Sequence, residues 1–190
     1  MTKFRLSSVT LILALLIIIS CGSSAKKDID LLPPGTQIVE MDKSKIKLDD
    51  GDTIEYDGIS LRFLGVDTPE IAHPEHGFFE DQPFGRDAAA FTEQAINQAK
   101  DVAYVPVQQD RYGRTLAHIF IDGDLLGIRL IKAGLAYETV SHYGDNGFPE
   151  LGKRILQAAK ESQVKDFIAP HEWRREHRRE PAVADTTHLK

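Results

Sequence analysis

The chain predicts a mainly β, α+β domain: a small, strongly curled barrel with three helices packed against it. Three observations carry that expectation. Apolar and polar residues alternate with a period near two across Gln37–Tyr56 and again through Ile59–Gly65. Asp57-Gly58 and Asp122-Gly123 each fall between apolar runs at hairpin spacing. Helical periodicity enters only later, in the stretches that follow Gly85, Gly127 and Pro149.

Taken in order, Gln37–Tyr56 reads as strand broken by a turn at Asp49–Gly51. Tyr56-Asp57-Gly58-Ile59 predicts a tight hairpin, because Asp and Gly tolerate the positive φ of a two-residue primed turn. The return strand, Ile59–Gly65, stops at Asp67-Thr68-Pro69-Glu70, where Pro69 removes a backbone donor. Ile71–Phe84 has no period and reads as an exposed loop. A helix over about Gly85–Lys100 turns Ala88, Phe91, Ala95 and Ala99 to one face with Ile96 beside them. A strand at Val102–Gln108 follows, then a second hairpin: Leu116–Ile121, a turn at Asp122-Gly123, and Asp124–Leu126. A short helix over Gly127–Ala133 ends at Gly134, where glycine takes the left-handed cap. The last helix starts after Pro149, faces Leu151, Ile155, Ala158 and Ala159 inward, and runs to about Val164. An open five-stranded oligonucleotide-binding barrel fits this inventory, although periodicity alone does not separate it from another α+β fold.

The chain has 190 residues, enough for one such domain. Its first stretch stands apart. Lys3 and Arg5 precede an apolar run, Val9–Ile19, that would rise about 16 Å as a helix. A hydrocarbon core is about 30 Å thick, so the run suits a signal peptide better than a permanent span. Ile18-Ile19-Ser20-Cys21 resembles the bacterial lipobox, which implies cleavage before Cys21 and acylation of its new N-terminus. The domain reading is therefore a leader over 1–20, a tether over 21–36, the folded body over 37–168, and a charged, partly disordered extension over 169–190. The expected location is the bacterial cell envelope, exported and lipid-anchored, with the body a monomer. Cys21 is the single cysteine, which excludes disulfides and thiolate metal sites in the body. The formal charge is -6; removing Lys3 and Arg5 from 23 basic residues leaves 21 against 29 acidic, or -8. That balance excludes a protein that coats nucleic acid by backbone electrostatics alone. A focused pocket remains open.

The chemistry-bearing residues cluster at strand ends. Asp50-Gly51-Asp52-Thr53 lies where one strand ends and the next begins, and Asp67-Thr68-Pro69-Glu70 ends the strand after the hairpin. Either fragment alone is ordinary turn chemistry. On neighbouring strands, Asp52, Asp67 and the Thr68 carbonyl would make an oxygen-only site suited to Ca²⁺, with Gly51 letting the backbone turn sharply. Arg62 sits inside the apolar strand Leu61-Arg62-Phe63-Leu64, where an unpaired charge is costly. It is either half of an ion pair at the barrel rim or a fork for two phosphate oxygens, a geometry lysine lacks. Arg114, in Asp110-Arg111-Tyr112-Gly113-Arg114, would bring a second guanidinium to the same phosphoryl group.

Together, Asp50-Gly51-Asp52-Thr53, Arg62, Val66-Asp67-Thr68-Pro69-Glu70 and Asp110-Arg111-Tyr112-Gly113-Arg114 resemble the staphylococcal nuclease, or thermonuclease, family from about Ile38 to Val164. The resemblance implies an oligonucleotide-binding barrel acting as a Ca²⁺-dependent nuclease on single-stranded or locally open DNA or RNA, leaving 3′-phosphate and 5′-hydroxyl ends. It implies Asp52 and Asp67 as metal carboxylates, Thr68 as the carbonyl ligand and Glu70 as the group orienting or deprotonating water. Arg62 and Arg114 match the phosphate-clamping arginines, Tyr112 a tyrosine near the terminal phosphate, and Asp50 a nearby acidic position. After Gly134-Leu135-Ala136 the chain departs from the family's aromatic pattern, with Tyr137 or Tyr143 as stand-ins.

Other signals point nowhere specific. His73, His76, His118, His142, His171, His177 and His188 form no zinc spacing. Asp122-Gly123-Asp124 reads as a plain turn. The run His171–Glu180 nets +1, weak support for nucleic-acid contact, and Trp173 within it is expected to pack the last helix against the barrel. Two competing readings stay open: a noncatalytic barrel that binds nucleic acid or protein, and a body in which Ca²⁺ only stabilises the fold.

Overall fold

The computed structural model describes residues 26–178. The expected leader, the Cys21 acylation site and the Pro181–Lys190 tail lie outside the described residues.

The sheet is built from β1 (Val39–Glu40), β2 (Ile46–Leu48), β3 (Thr53–Tyr56), β4 (Ile59–Phe63), β6 (Val102–Gln109) and β7 (Thr115–Ile121), with β5 (Val66–Asp67) apart. Its order is β1-β6-β7-β4-β3-β2, with β8 (Asp124–Leu125) also on β7. All pairs are antiparallel except β4 with β7, which run parallel with Arg62 level with Leu116. The two edges, β1 and β2, are consecutive stretches of one run of chain. The sheet therefore curls round on itself into the half-barrel of an oligonucleotide-binding fold, and the fold class is the α+β one expected.

Sequence and structure differ over how that first run is divided. The expected strand breaks not only at Asp49–Gly51 but also at Asp42, whose carboxylate accepts from Ser44 N at 3.0 Å and caps a short 3₁₀ turn. A local side-chain acceptor competes there with the ladder, so the strand changes partner from β6 to β3. Both hairpin turns are as expected: Asp57 and Gly58 have φ of 50° and 80°, and Asp122 and Gly123 have 51° and 83°. The plain-turn reading of Asp122 holds, its carboxylate capping Lys100 N and Asp101 N.

Helices cover the curl. α1 (Gly85–Gln98), α2 (Leu126–Lys132) and α4 (Pro149–Glu161) are the three expected. Leu130, Leu151 and Ile155 reach the fully buried core alongside Ile54, Leu61, Ile119 and Ile121. The buried face of α1 is Ala88, Ala89, Thr92 and Ile96, with Ala99 buried just beyond its end and Phe91 and Ala95 only partly covered. The face rotates because the Thr92 hydroxyl donates inward to the Gly51 carbonyl at 2.6 Å. Gly134 caps α2 at φ 71°, and a Cβ there would also lie 2.6 Å from the Gln163 carbonyl.

Several elements were not expected, among them a 3₁₀ turn at Asp28–Leu31 in the stretch read as a tether, whose buried Asp28 carboxylate accepts from Leu125 N at 2.9 Å. β5 pairs with β9 (Tyr137–Glu138) in a separate small ladder, the one-turn α3 (Val140–Tyr143) follows it, and α5 (Pro170–His177) forms within the charged stretch. Trp173 anchors α5 itself, on the loop before α1, and not the end of α4 to which the expectation assigned it. It is buried, 5.8 Å from the Phe78 ring and stacked on His177 at 4.4 Å.

Candidate active site

The turn between β2 and β3 delivers the first carboxylates. Asp49 N and Asp50 N both donate to the Thr53 carbonyl, and Asp52 N donates to Asp50 Oδ1 at 2.9 Å. Gly51 is not in the left-handed region, so sharp turning is not what it supplies. A Cβ there would fall 2.7 Å from Thr68 Oγ1 and 2.8 Å from Ala88 Cβ. The glycine is needed because two elements close on it.

Asp52 is fully buried. Its Oδ2 accepts from Thr68 N at 2.7 Å, which ties the β3 turn to the loop after β5, and its Oδ1 accepts from Arg62 Nη1. Arg62 is placed by strand pairing, opposite Thr53 in the β3–β4 ladder. Its Nη2 donates to Asp67 Oδ1 at 2.5 Å. The guanidinium thus bridges Asp52 and Asp67, the ion-pair alternative for Arg62. Thr68 is buried beside them, its hydroxyl without a hydrogen-bond partner among the described residues.

Glu70 is held by its backbone. Its N–H donates to Gln82 Oε1 at 3.2 Å and its carbonyl accepts from Gln82 N at 2.9 Å. Gly85 opens α1 so close by that a Cβ would lie 2.1 Å from the Glu70 carbonyl oxygen. The Glu70 carboxylate accepts from Arg174 Nη1 on α5, and the same guanidinium reaches Asp67 Oδ1 and Oδ2 at 3.0 and 2.9 Å.

Asp50, Asp52, Asp67 and Glu70 thus share one pocket with Arg62 and Arg174. Burial raises the pKa of Asp52 well above the carboxylate range against the pull of Arg62, and Asp50 and Asp67 add to the rise. Asp50 and Glu70 are raised too, first by burial. At Asp67 burial pushes upward as well, but Arg62 and Arg174 outweigh it and leave the group below its ordinary value. Four carboxyl groups face two guanidiniums, and a divalent cation among them would favour the ionised forms that burial alone opposes. The donors are all hard oxygens, the preference of Ca²⁺. Among the described residues no His, Cys, Asp and Glu side chains form a ready-made metal cluster. The reason is visible: the carboxylates turn to the two guanidiniums rather than to a common centre.

Arg114 and Tyr112 lie outside this network. Asp110 Oδ1 accepts from Tyr112 N and Arg114 N, and Oδ2 accepts from Arg114 Nε at 2.8 Å. Gly113, at φ 82°, closes the loop. Asp110 thus holds the Arg114 guanidinium, and no side-chain hydrogen bond among the described residues joins it to Asp52, Asp67 or Glu70. The Tyr112 ring is exposed, with the Arg111 and Arg114 guanidiniums 4.8 and 5.6 Å from its centroid. The parallel β4–β7 register does put Arg114 one residue before Thr115, which is level with Leu61. It therefore stands one strand away from Arg62.

Sequence reasoning missed Arg174 and Gln82. Gln82 had no signal, being one polar residue in a loop. Arg174 had one: it follows a lone tryptophan in an otherwise charged run.

Residues 60–166 match the family described as Staphylococcal nuclease homologue. The chain belongs to the staphylococcal nuclease family. It is 38% identical over 123 residues to a protein named Thermonuclease from Staphylococcus hyicus, covering 62% of this chain and 69% of the other. A Thermonuclease from Staphylococcus intermedius is 37% identical over the same shares of each chain. Endonuclease YncB of Bacillus subtilis (strain 168) is 36% identical over 107 residues, 50% of this chain and 49% of the other. The span matched to the nuclease family contains Arg62, Asp67, Thr68, Glu70, Gln82, Tyr112 and Arg114. Asp52 precedes it and Arg174 follows it.

Proposed function

We propose that the chain is a Ca²⁺-dependent nuclease that hydrolyses phosphodiester bonds in DNA, RNA or both, leaving 3′-phosphate and 5′-hydroxyl ends. The observation that carries this reading is the buried gathering of Asp52, Asp67 and Glu70 around Arg62. Relatives named thermonuclease and endonuclease support it.

Asp52, Asp67 and the Thr68 carbonyl would hold the cation, with Asp50 behind them. Bound there, Ca²⁺ would offset the phosphodiester charge. Glu70, fixed by its backbone on Gln82, orients a water toward phosphorus and takes up its proton as attack proceeds. Arg62 offers its fork to the nonbridging oxygens, whose charge grows in the transition state, at the expense of its pairing with the carboxylates. Arg114 leaves Asp110 to join it. A partly exposed ion pair contributes only about 0–1 kcal/mol, so that exchange is cheap beside a new phosphate contact. Recognition of phosphate and metal rather than the sugar 2′ position makes both nucleic acids substrates.

Export and lipid anchoring through Cys21, with the body a monomer on the cell envelope, belong to the same proposal. Intact mass reports the acylation. The deciding assay is cleavage of single-stranded DNA and of RNA by the purified full chain, with Ca²⁺ or with a chelator, followed by end-group analysis. Chelator-insensitive activity would overturn the metal assignment, and 5′-phosphate products the end chemistry. The noncatalytic reading draws on the pairing of Arg114 with Asp110. Saturable oligonucleotide binding without cleavage would favour it.

A further inference from the structure

The segment beyond the matched family span, Ile168 together with α5, is built into the pocket at three points. Gln82, which holds the Glu70 backbone from both sides, donates through Nε2 to the Ile168 carbonyl at 2.7 Å. Trp173 seats α5 on Phe78, a residue of the loop that also contains Gln82. Arg174 then spans Asp67 and Glu70 with one guanidinium.

The Glu70 carboxylate shows how much depends on that third point. It is 8% exposed as a residue, and its one side-chain partner among the described residues is Arg174. A carboxylate on a flexible stem, pinned only at its backbone, samples several rotamers, and a general base out of place by about 1 Å loses much of its effect. Arg62 does not do this work, since its bonds go to Asp52 and Asp67. The planar fork of Arg174 meets both oxygens of Asp67 and sends Nη1 on to Glu70, which fixes the spacing between the two acids.

We propose that Arg174 is a positioning residue for the reaction: from α5 it holds the Glu70 carboxylate in register with Asp67. The proposal rests on the nuclease reading of the site. Lysine at this position would reach one acid but not span both, so it restores only part of the effect.

The test uses the full chain with Arg174→Ala, Arg174→Lys, Glu70→Gln and the double variant Arg174→Ala/Glu70→Gln. With Ca²⁺ and oligonucleotide saturating, Arg174→Ala is expected to lower kcat about 10- to 100-fold with KM changed less than about threefold. Arg174→Lys should recover part of that loss. A second readout needs no turnover. Trp173 is the sole tryptophan and neighbours Arg174, so its emission and its quenching by acrylamide report the seating of α5. In chelator, Arg174→Ala and Glu70→Gln should each raise Trp173 quenching, and the double variant should exceed neither single one by much.

Unchanged kcat in Arg174→Ala, or an increase, would overturn the proposal, the increase marking Arg174 as a plug. Additive effects on quenching would also overturn it. If the unaltered chain cleaves nothing, the nuclease reading fails, while the quenching cycle still reports the Arg174–Glu70 contact.

Discussion

His118 lies in the middle of β7, 3% exposed, with neither ring nitrogen hydrogen-bonded among the described residues and the Phe148 ring edge-on at 4.9 Å. Burial alone depresses its pKa from 6.5 to about 4. Between those values the unfolded chain binds a proton that the folded chain refuses. Stability from this residue is therefore complete above pH 6.5, falls as the pH drops through the window, and falls no further below about 4. At about 1.36 kcal/mol per unit, the full loss is on the order of 3 kcal/mol, and most of it, about 2.5, is reached by pH 4.5. Burial also raises Asp50, Asp52 and Glu70, so the informative quantity is a difference. Urea unfolding at pH 7.5 and 4.5 should show a loss for the unaltered chain that exceeds that of His118→Leu by about 2–3 kcal/mol. Equal losses in the two proteins would refute the assignment and mean that His118 finds a proton partner in the fold.

Gly51→Ala is expected to cost about 1–3 kcal/mol in urea unfolding, because its Cβ would enter the space of Thr68 and Ala88. It should also weaken Ca²⁺ binding measured by calorimetry, since Thr68 is pushed from Asp52. Arg114→Ala should reduce kcat about a hundredfold while moving the unfolding midpoint little, its ion pair being partly exposed; a large loss of stability with normal turnover would contradict this. Saturating Ca²⁺ at about a hundred times its Kd should stabilise the chain by about 2.7 kcal/mol, read as a raised unfolding midpoint that chelator reverses.

Elements with a local signal could be read from the chain, and those that depend on distant partners could not. The Asp57-Gly58 and Asp122-Gly123 turns, the Gly134 cap and the inward face of Leu151, Ile155 and Ala158 each follow from residues within one turn of each other. The break at Asp42 looked like strand because its decisive acceptor competes with a ladder only where the barrel changes partner. Thr92 joins the buried face of α1 through a bond to a carbonyl 41 positions earlier, which no local pattern announces. In the site, Asp52, Arg62, Asp67, Thr68 and Glu70 were legible as a set because their types and order are unusual for turns. Arg114 was placed by its motif, which says nothing about the Asp110 carboxylate that holds it. Arg174 was hidden among neighbouring arginines and glutamates whose composition describes a solvated helix, and only Trp173 marks the side that turns inward.

The contact between Arg174 and Asp67 joins residues 107 positions apart. A ribosome delivers the strands of the curl and both carboxylates long before it delivers their guanidinium partner. During synthesis the chain therefore passes through a stage in which the barrel can assemble while Glu70 still swings free. The Gln82–Ile168 and Trp173–Phe78 contacts depend on the same late segment, so every tie between α5 and the pocket waits on the last stretch of described chain.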